Sequence, residues 1–355
     1  MRRLRTVYPV AASDLDEILG HCASWQDLRG ARLLLTGGTG FFGTWLLEAL
    51  GHAERQLGLG LKVRVLSRDP GAFLDRHRHF IDASWLEWQT GDVLSLEPNG
   101  ARHTHVIHGA TAASATLNDS QPRVMFDTIV EGTKRTLDVA LASGAQRFLL
   151  LSSGAVYGRQ PPDLTHVPEA YLGGPDPLDV RAAYAEGKRA AEWLTAASAK
   201  QHGLAAPIAR CFTFVGPHLP LDVHFAIGNF IRDGLAGSPI RISGDGTPRR
   251  SYLYASDIVI WLLTLLVRGD SAVAYNVGSE HDVSIAETAR AVAAAFQGRV
   301  EVHIAQVPDP GRATERYIPS VARATRELGL MQTVALDEAI ARTVAWHQRA
   351  RRSAA

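Results

Sequence analysis

Leu33-Leu34-Leu35-Thr36-Gly37-Gly38-Thr39-Gly40-Phe41-Phe42-Gly43 runs a short apolar stretch straight into glycines at every third position. The apolar stretch reads as a strand, and the residues beyond it as the opening of a helix. Glycines at 37, 40 and 43 let the backbone turn sharply and approach a ligand closely. The helix that starts there offers unpaired N–H groups and the positive end of its dipole, which suits a pyrophosphate. A glycine trio alone is weak evidence. Placed directly after the first strand of a βα series, it is strong.

Working outward, strands are expected at 31–36, 62–67, 85–89, 104–108, 147–152 and 206–212. Helices are expected at about 43–50, 124–143 and 182–202, with a Pro/Gly-rich loop at 158–177. Strands alternating with helices imply a parallel sheet covered on both faces. The expected class is therefore α/β, a Rossmann-type doubly wound parallel sheet. Residues 1–28 form an N-terminal helical extension, with a helix over 13–28. Ser13 is placed to cap it, Asp14, Asp16 and Glu17 fall in its first turn, and Leu15, Ile18, Leu19 and Cys22 form its apolar stripe. Residues 29–215 read as the dinucleotide-binding domain. Beyond Gly216 the pattern is less regular, so 216–355 reads as a smaller mixed α/β substrate-binding lobe with some segments returning to the main sheet. Residues 349–352, rich in arginine, read as a solvated tail.

Composition excludes several function classes. Of the 355 residues, 46% are apolar and 21% charged, ordinary for a soluble globular protein. A formal charge of +1 supplies no field that would favour nucleic acid. Cys22 and Cys211 match no zinc spacing and make no disulfide framework, which fits a reducing compartment. The basic start, Met1 to Arg5, is followed by no apolar stretch of signal-peptide length. The most apolar run, 258–267, is about half of the ~20 residues that cross a bilayer, so a buried helix is expected. A cytoplasmic chain with no membrane contact follows as the expectation. The histidine groups His77/His79 and His103/His105/His108 have no carboxylate or cysteine completing a site, so no metal is expected.

Tyr184-Ala185-Glu186-Gly187-Lys188 sets a phenol and an ammonium one helical turn apart on the same face. Tyrosine titrates near pH ~10, too high for an efficient base at neutral pH. A neighbouring ammonium, together with an oxidised nicotinamide, favours the phenolate. Tyr184 could then take a proton from a hydroxyl or return one to a ketone. The fifth strand closes on Leu151-Ser152-Ser153-Gly154-Ala155-Val156-Tyr157-Gly158.

With its GxxGxxG spacing, which differs from the GxGxxG of the usual dehydrogenase fingerprint, and with these two segments, the chain resembles the extended short-chain dehydrogenase/reductase family. Its members include nucleotide-sugar epimerases, dehydratases and ketoreductases, and the resemblance spans most of the chain. It implies Ser153 as the third member of a catalytic trio with Tyr184 and Lys188, its hydroxyl holding the substrate oxygen. Ser152 is implied beside the cofactor and is a lesser catalytic candidate. Cofactor contacts are implied at Gly37, Thr39, Gly40, Phe41, Phe42 and Gly43. Asp92 and Val93 are implied at the adenine, and Ala110 and Ala112 in a loop beside the cofactor. Ser67-Arg68-Asp69 ends the second strand. An arginine there pairs with the 2′-phosphate of NADP, whereas an acid bonds the ribose hydroxyls of NAD. Ser67 and Arg68 favour NADP, while Asp69 could still serve NAD.

The same resemblance implies substrate contacts. Arg210-Cys211-Phe212-Thr213-Phe214-Val215-Gly216-Pro217 resembles R-x-F-N-V-Y-G-P, with Thr213 in place of a sugar-binding asparagine. Asn229 lies where the nucleotide is covered. Arg250, in Gly244-Asp245-Gly246-Thr247-Pro248-Arg249-Arg250, is implied on the substrate diphosphate, with Arg312 or Arg316 as a second clamp. Tyr275-Asn276-Val277-Gly278 and Arg316-Tyr317-Ile318-Pro319 also match. Thr128 and Gly187 depart from the usual asparagine and serine. Sugar 4,6-dehydratases usually carry an Asp-Glu pair just after the catalytic Ser/Thr, and the related decarboxylases keep a glutamate. Gly154 and Ala155 stand there instead, which disfavours elimination.

The partner implied is a nucleotide-diphosphate sugar, and the reaction is redox chemistry at its C4. Reduction of an NDP-4-keto-6-deoxyhexose by NADPH stands first. A 4-epimerase with tightly bound NAD stands second, and a 4,6-dehydratase or a non-catalytic dinucleotide sensor behind it. Similar proteins often dimerise through their two long helices, here 124–143 and 182–202, so a homodimer is expected.

Overall fold

The computed structural model describes residues 9–22, 24–111, 115–222 and 225–352. Seven parallel strands form the main sheet. In spatial order they are Ala274–Val277, Ile208–Cys211, Arg147–Ser153, His105–His108, Arg32–Thr36, Lys62–Ser67 and Leu86–Thr90. Arg32–Thr36 and Arg147–Ser153 carry continuous apolar runs because helices cover both faces of the sheet, whereas the edge strand Leu86–Thr90 is half-exposed. From Arg32–Thr36 the chain first builds outward to one side and then crosses to the other. That reversal opens a crevice at the C-terminal ends of the strands, where open α/β sheets bind ligands. The sheet takes one strand, Ala274–Val277, from the region beyond residue 216.

The helix after the glycine turn runs Phe41–Leu57, longer than 43–50, because its apolar face continues until Gly58 ends it at φ 54°. Gly51 makes this possible: a Cβ there would lie 2.6 Å from the Trp85 ring. The long helices are Pro122–Ser143 and Ala183–His202. They pack closely where Gly187 meets Ile129, since a Cβ on Gly187 would come within 3.2 Å of that side chain. This accounts for glycine in place of serine at 187. The apolar run at 258–267 lies inside the buried helix Ala255–Arg268. No helix among the described residues is long and apolar enough to cross a membrane.

The N-terminal segment differs from expectation. Its helix spans Ala12–His21, and a separate short turn covers Gln26–Leu28. Because the helix starts one residue early, Ser13 lies within it and caps nothing. Asp14 does lie in the first turn. It is buried, accepting from Tyr254 Oη at 2.8 Å and Arg342 at 2.7 Å. The helix Leu336–Arg352 that carries Arg342 also absorbs residues 349–352, so the arginine-rich end is helical.

Candidate active site

The glycine turn has the geometry its composition implies. Gly37 adopts φ 76°, and a Cβ on it would lie 2.6 Å from the Gly109 backbone. A Cβ on Gly43 would lie 2.3 Å from Gly38 Cα. Gly40 differs: it is exposed, and its Cβ would meet only Gly37 O at 3.4 Å. Gly37 and Gly43 therefore keep the turn compact, and Gly40 leaves its outer side open at a helix N-terminus. That shape and polarity fit a dinucleotide pyrophosphate. Phe41 and Phe42 bring backbone N–H groups to this helix start, and the Phe42 ring packs edge-on against Phe214. Thr36 Oγ1 ties the turn to the next loop through His108 Nδ1 (2.8 Å) and the Ala110 N–H (3.2 Å). Ala110 is thereby set beside the turn. Ala112 lies outside the described residues.

Two of the expected adenine-side residues face the crevice. Arg68 has an 82% exposed side chain, 4.0 Å from Asp92. Asp92 also accepts from the Leu94 N–H at 2.9 Å. Val93 instead turns inward, buried against Gly132. Asp69, the alternative ribose ligand, accepts from the Ala72 N–H at 2.9 Å and caps the helix Pro70–Arg76.

The trio converges at the end of Arg147–Ser153. Asn118 Oδ1 accepts from the Tyr184 N–H at 3.1 Å, anchoring the first turn of the helix Ala183–His202. The Ser153 hydroxyl lies near the Tyr184 phenol. Lys188 lies one turn on, with Nζ 5.9 Å from the Tyr184 ring centroid and donating to Leu151 O at 2.7 Å. Lys188 by itself does not acidify the phenol. Burial pushes the Tyr184 phenol up to about 12, outweighing the pull of Ser153, and pushes the Lys188 ammonium down to about 8. Desolvation disfavours both charged forms, and the ammonium is spent on a carbonyl.

Ser152 is also corrected. It donates to Glu192 Oε1 at 2.5 Å, so its hydroxyl is turned to the helix behind the sheet and not to the cofactor. Glu192 accepts from Arg210 at 2.7 Å, Arg210 donates to Tyr157 Oη at 2.9 Å, and Tyr157 donates to Asn276 Oδ1 at 2.8 Å. This buried chain braces three strand ends beneath the trio, and its charges are satisfied on each side. It was missed because its members lie far apart in the sequence, although R-x-F and V-Y-G were visible as motifs.

The expected substrate contacts divide. Arg250 stands close enough to Tyr317 to act on its phenol, but its guanidinium is paired with Glu315. Tyr317, to which the sequence assigns no role, lies near Ser153. Arg316 points the other way, 3.7 Å from Asp282, because successive strand residues face opposite sides. It lines a separate cavity of about 560 Å³ with Arg249, Arg290 and Asp245. Arg312 is exposed beside Asp245. The Thr213 hydroxyl donates to Ser251 O, which the pairing of Phe214–Val215 with Leu253–Tyr254 brings alongside, so it is not free for a sugar. Asn229 Oδ1 accepts from Arg232 at 3.1 Å, one turn along its own helix. Thr128 likewise donates to Val124 O at 2.7 Å. His108 is held by Thr36, Thr133 and Thr136, and among the described residues no group of three or more His, Cys, Asp or Glu is placed to hold a metal.

Comparison with known proteins shows the family and the fold. A model of the "NAD dependent epimerase/dehydratase family" matches residues 33–278. UDP-glucuronic acid decarboxylase 5 of Arabidopsis thaliana is 32% identical over 310 residues, 87% of each chain. Among solved structures, UDP-glucose 4-epimerase of Thermotoga maritima superposes with a TM-score of 0.74 at 21% identity, covering 90% of this chain and 99% of the other. The dTDP-glucose 4,6-dehydratase DesIV of Streptomyces venezuelae, solved with NAD bound, gives 0.73 at 24% identity, covering 91% and 98%.

Proposed function

The chain belongs to the NAD-dependent epimerase/dehydratase family, and from that premise we propose that it reduces the C4 ketone of an NDP-4-keto-6-deoxyhexose with NADPH. The observation that carries the reading is the nearness of the Tyr184 phenol to the Ser153 hydroxyl, beside a position where Gly154 and Ala155 bring no acid. A dinucleotide bound along the glycine turn supplies hydride to a sugar carbon. The rest is done by side chains. Tyr184, held protonated at neutral pH by burial, gives its proton to the C4 oxygen. Ser153 hydrogen-bonds that oxygen and steadies the charge developing on it. Arg68 pairs with the 2′-phosphate, a contact a planar guanidinium makes well. The relatives named decarboxylase and dehydratase release CO₂ or water, and Gly154-Ala155 offers no group to assist that. Two copies pairing through Pro122–Ser143 and Ala183–His202 belong to the same proposal. Trp193 and Val124 on these helices are 70% and 46% exposed, apolar surface that such pairing would cover.

The test is NADPH oxidation against a panel of NDP-4-keto-6-deoxyhexoses. One NADPH consumed per sugar is expected, with Tyr184→Phe slower by about 10²- to 10⁴-fold at retained cofactor affinity. Cofactor that co-purifies as NAD and is never consumed while C4 inverts would replace the reductase with a 4-epimerase. Unchanged turnover in Tyr184→Phe would dismiss both.

A further inference from the structure

Tyr317 lies far from the trio in sequence, yet its phenol arrives beside Ser153. A Cβ on Gly154 would stand 2.7 Å from the Tyr317 hydroxyl oxygen and 2.7 Å from the tip of the Phe212 ring. The residue after Ser153 has no side chain, and the Tyr317 hydroxyl fills the space one would take. The phenol is held from several directions. Its strand, Arg316–Tyr317, pairs with Arg249–Ser251. Its ring lies 4.7 Å from Phe212, centroid to centroid. The Ile318 N–H that follows donates to Gln160 Oε1 at 2.9 Å, and Pro319 bridges to Val167.

Ser153 has one hydrogen to give and two lone pairs to receive with. The Ala155 N–H donates to Ser153 Oγ at 3.2 Å and takes one lone pair. Two phenols, Tyr184 and Tyr317, lie near the hydroxyl. If both phenols donated, three hydrogens would compete for two lone pairs, and the serine hydrogen would have no acceptor among them.

We propose that Tyr317 is a positioning residue of the reacting site: it donates to the second lone pair of Ser153, leaving the serine hydrogen to be given to Tyr184 or to the substrate oxygen. Gly154 is the condition for this arrangement, because any side chain there displaces the phenol. The position that carries an acid in eliminating relatives thus carries a neutral donor from another part of the chain. The proposal rests on the Ser153/Tyr184/Lys188 assignment above.

The experiment is a double-mutant cycle of Ser153→Ala and Tyr317→Phe, read in two ways. In turnover of a 4-keto sugar, Tyr317→Phe is expected to lower kcat by roughly ten- to a hundredfold with the KM for cofactor unchanged. In the Ser153→Ala background it should cost nothing further. A purely structural role would give the same loss in both backgrounds, and that result overturns the proposal. In denaturant unfolding of the cofactor-free protein, the two substitutions should be non-additive, and additivity likewise overturns it. Gly154→Ala should reproduce the kcat loss of Tyr317→Phe, and full activity in Gly154→Ala would count against the proposal. Unfolding needs no substrate, so inactivity of the wild type on every 4-keto sugar would overturn the reductase reading while the coupling still decided the role of Tyr317.

Discussion

Arg68 and Asp69 are adjacent, and their surroundings give them opposite employment. Asp69 caps Pro70–Arg76 through the Ala72 N–H, a bond it would have to break to reach a ribose. Arg68 keeps its guanidinium in the open at the crevice. Arg68→Ala should therefore weaken NADPH binding by about 10- to 100-fold, the worth of a charge-assisted hydrogen bond of roughly 1.5–3 kcal/mol, and leave NADH binding nearly as it was. Fluorescence titration of both cofactors checks this, and equal losses for the two would remove the basis for choosing NADPH. Tyr184 and Lys188 show the limit of residue-level reading. Their spacing is set by the helix and was legible. Their protonation is set by burial, which the spacing does not encode.

The glycine turn is legible at the scale of one element because all its parts lie within eleven consecutive residues. The distances separate two jobs within it. A Cβ on Gly43 would collide with backbone, which has nowhere to move, whereas one on Gly40 would meet only a single carbonyl oxygen at 3.4 Å. Gly43→Ala should thus destabilise the protein by about 1–3 kcal/mol, the usual cost of overpacking. Gly40→Ala should leave the thermal midpoint in place and weaken cofactor binding alone. Calorimetric melting beside cofactor titration would show the split, and a Gly40→Ala protein that melts early would refute it. Strand Arg316–Tyr317 teaches the opposite lesson. Two residues carry no periodicity, so which of Arg316 and Tyr317 faces the trio is settled by pairing with Arg249–Ser251.

Across the whole molecule, burial keeps several histidines neutral. His77, His103, His105 and His347 are pushed down to about 4, and His108 and His218 to about 3, in each case first by desolvation. In the unfolded chain each titrates near ~6.5. Below that pH the unfolded state binds protons that the native state refuses, so stability falls as pH falls, from about 6.5 down through about 4. The fully buried His108 alone contributes a slope of about 1.4 kcal/mol per pH unit within that window. Denaturation midpoints measured from pH 7.5 to 5 should hold above about pH 7 and decline below it. A flat profile above pH 5, with loss only where carboxylates protonate, would contradict it.

The first six strands of the main sheet, the phosphate turn and the tyrosine–lysine face were written in the linear chain, because each depends on neighbours within a turn or a strand. The Asp14–Tyr254–Arg342 junction, the brace from Ser152 to Asn276, the outward-facing Arg316 and the Tyr317 phenol over Gly154 were decided only by folding. Each joins residues from separate parts of the chain, and whether such groups meet depends on how the layers pack, which no local pattern records.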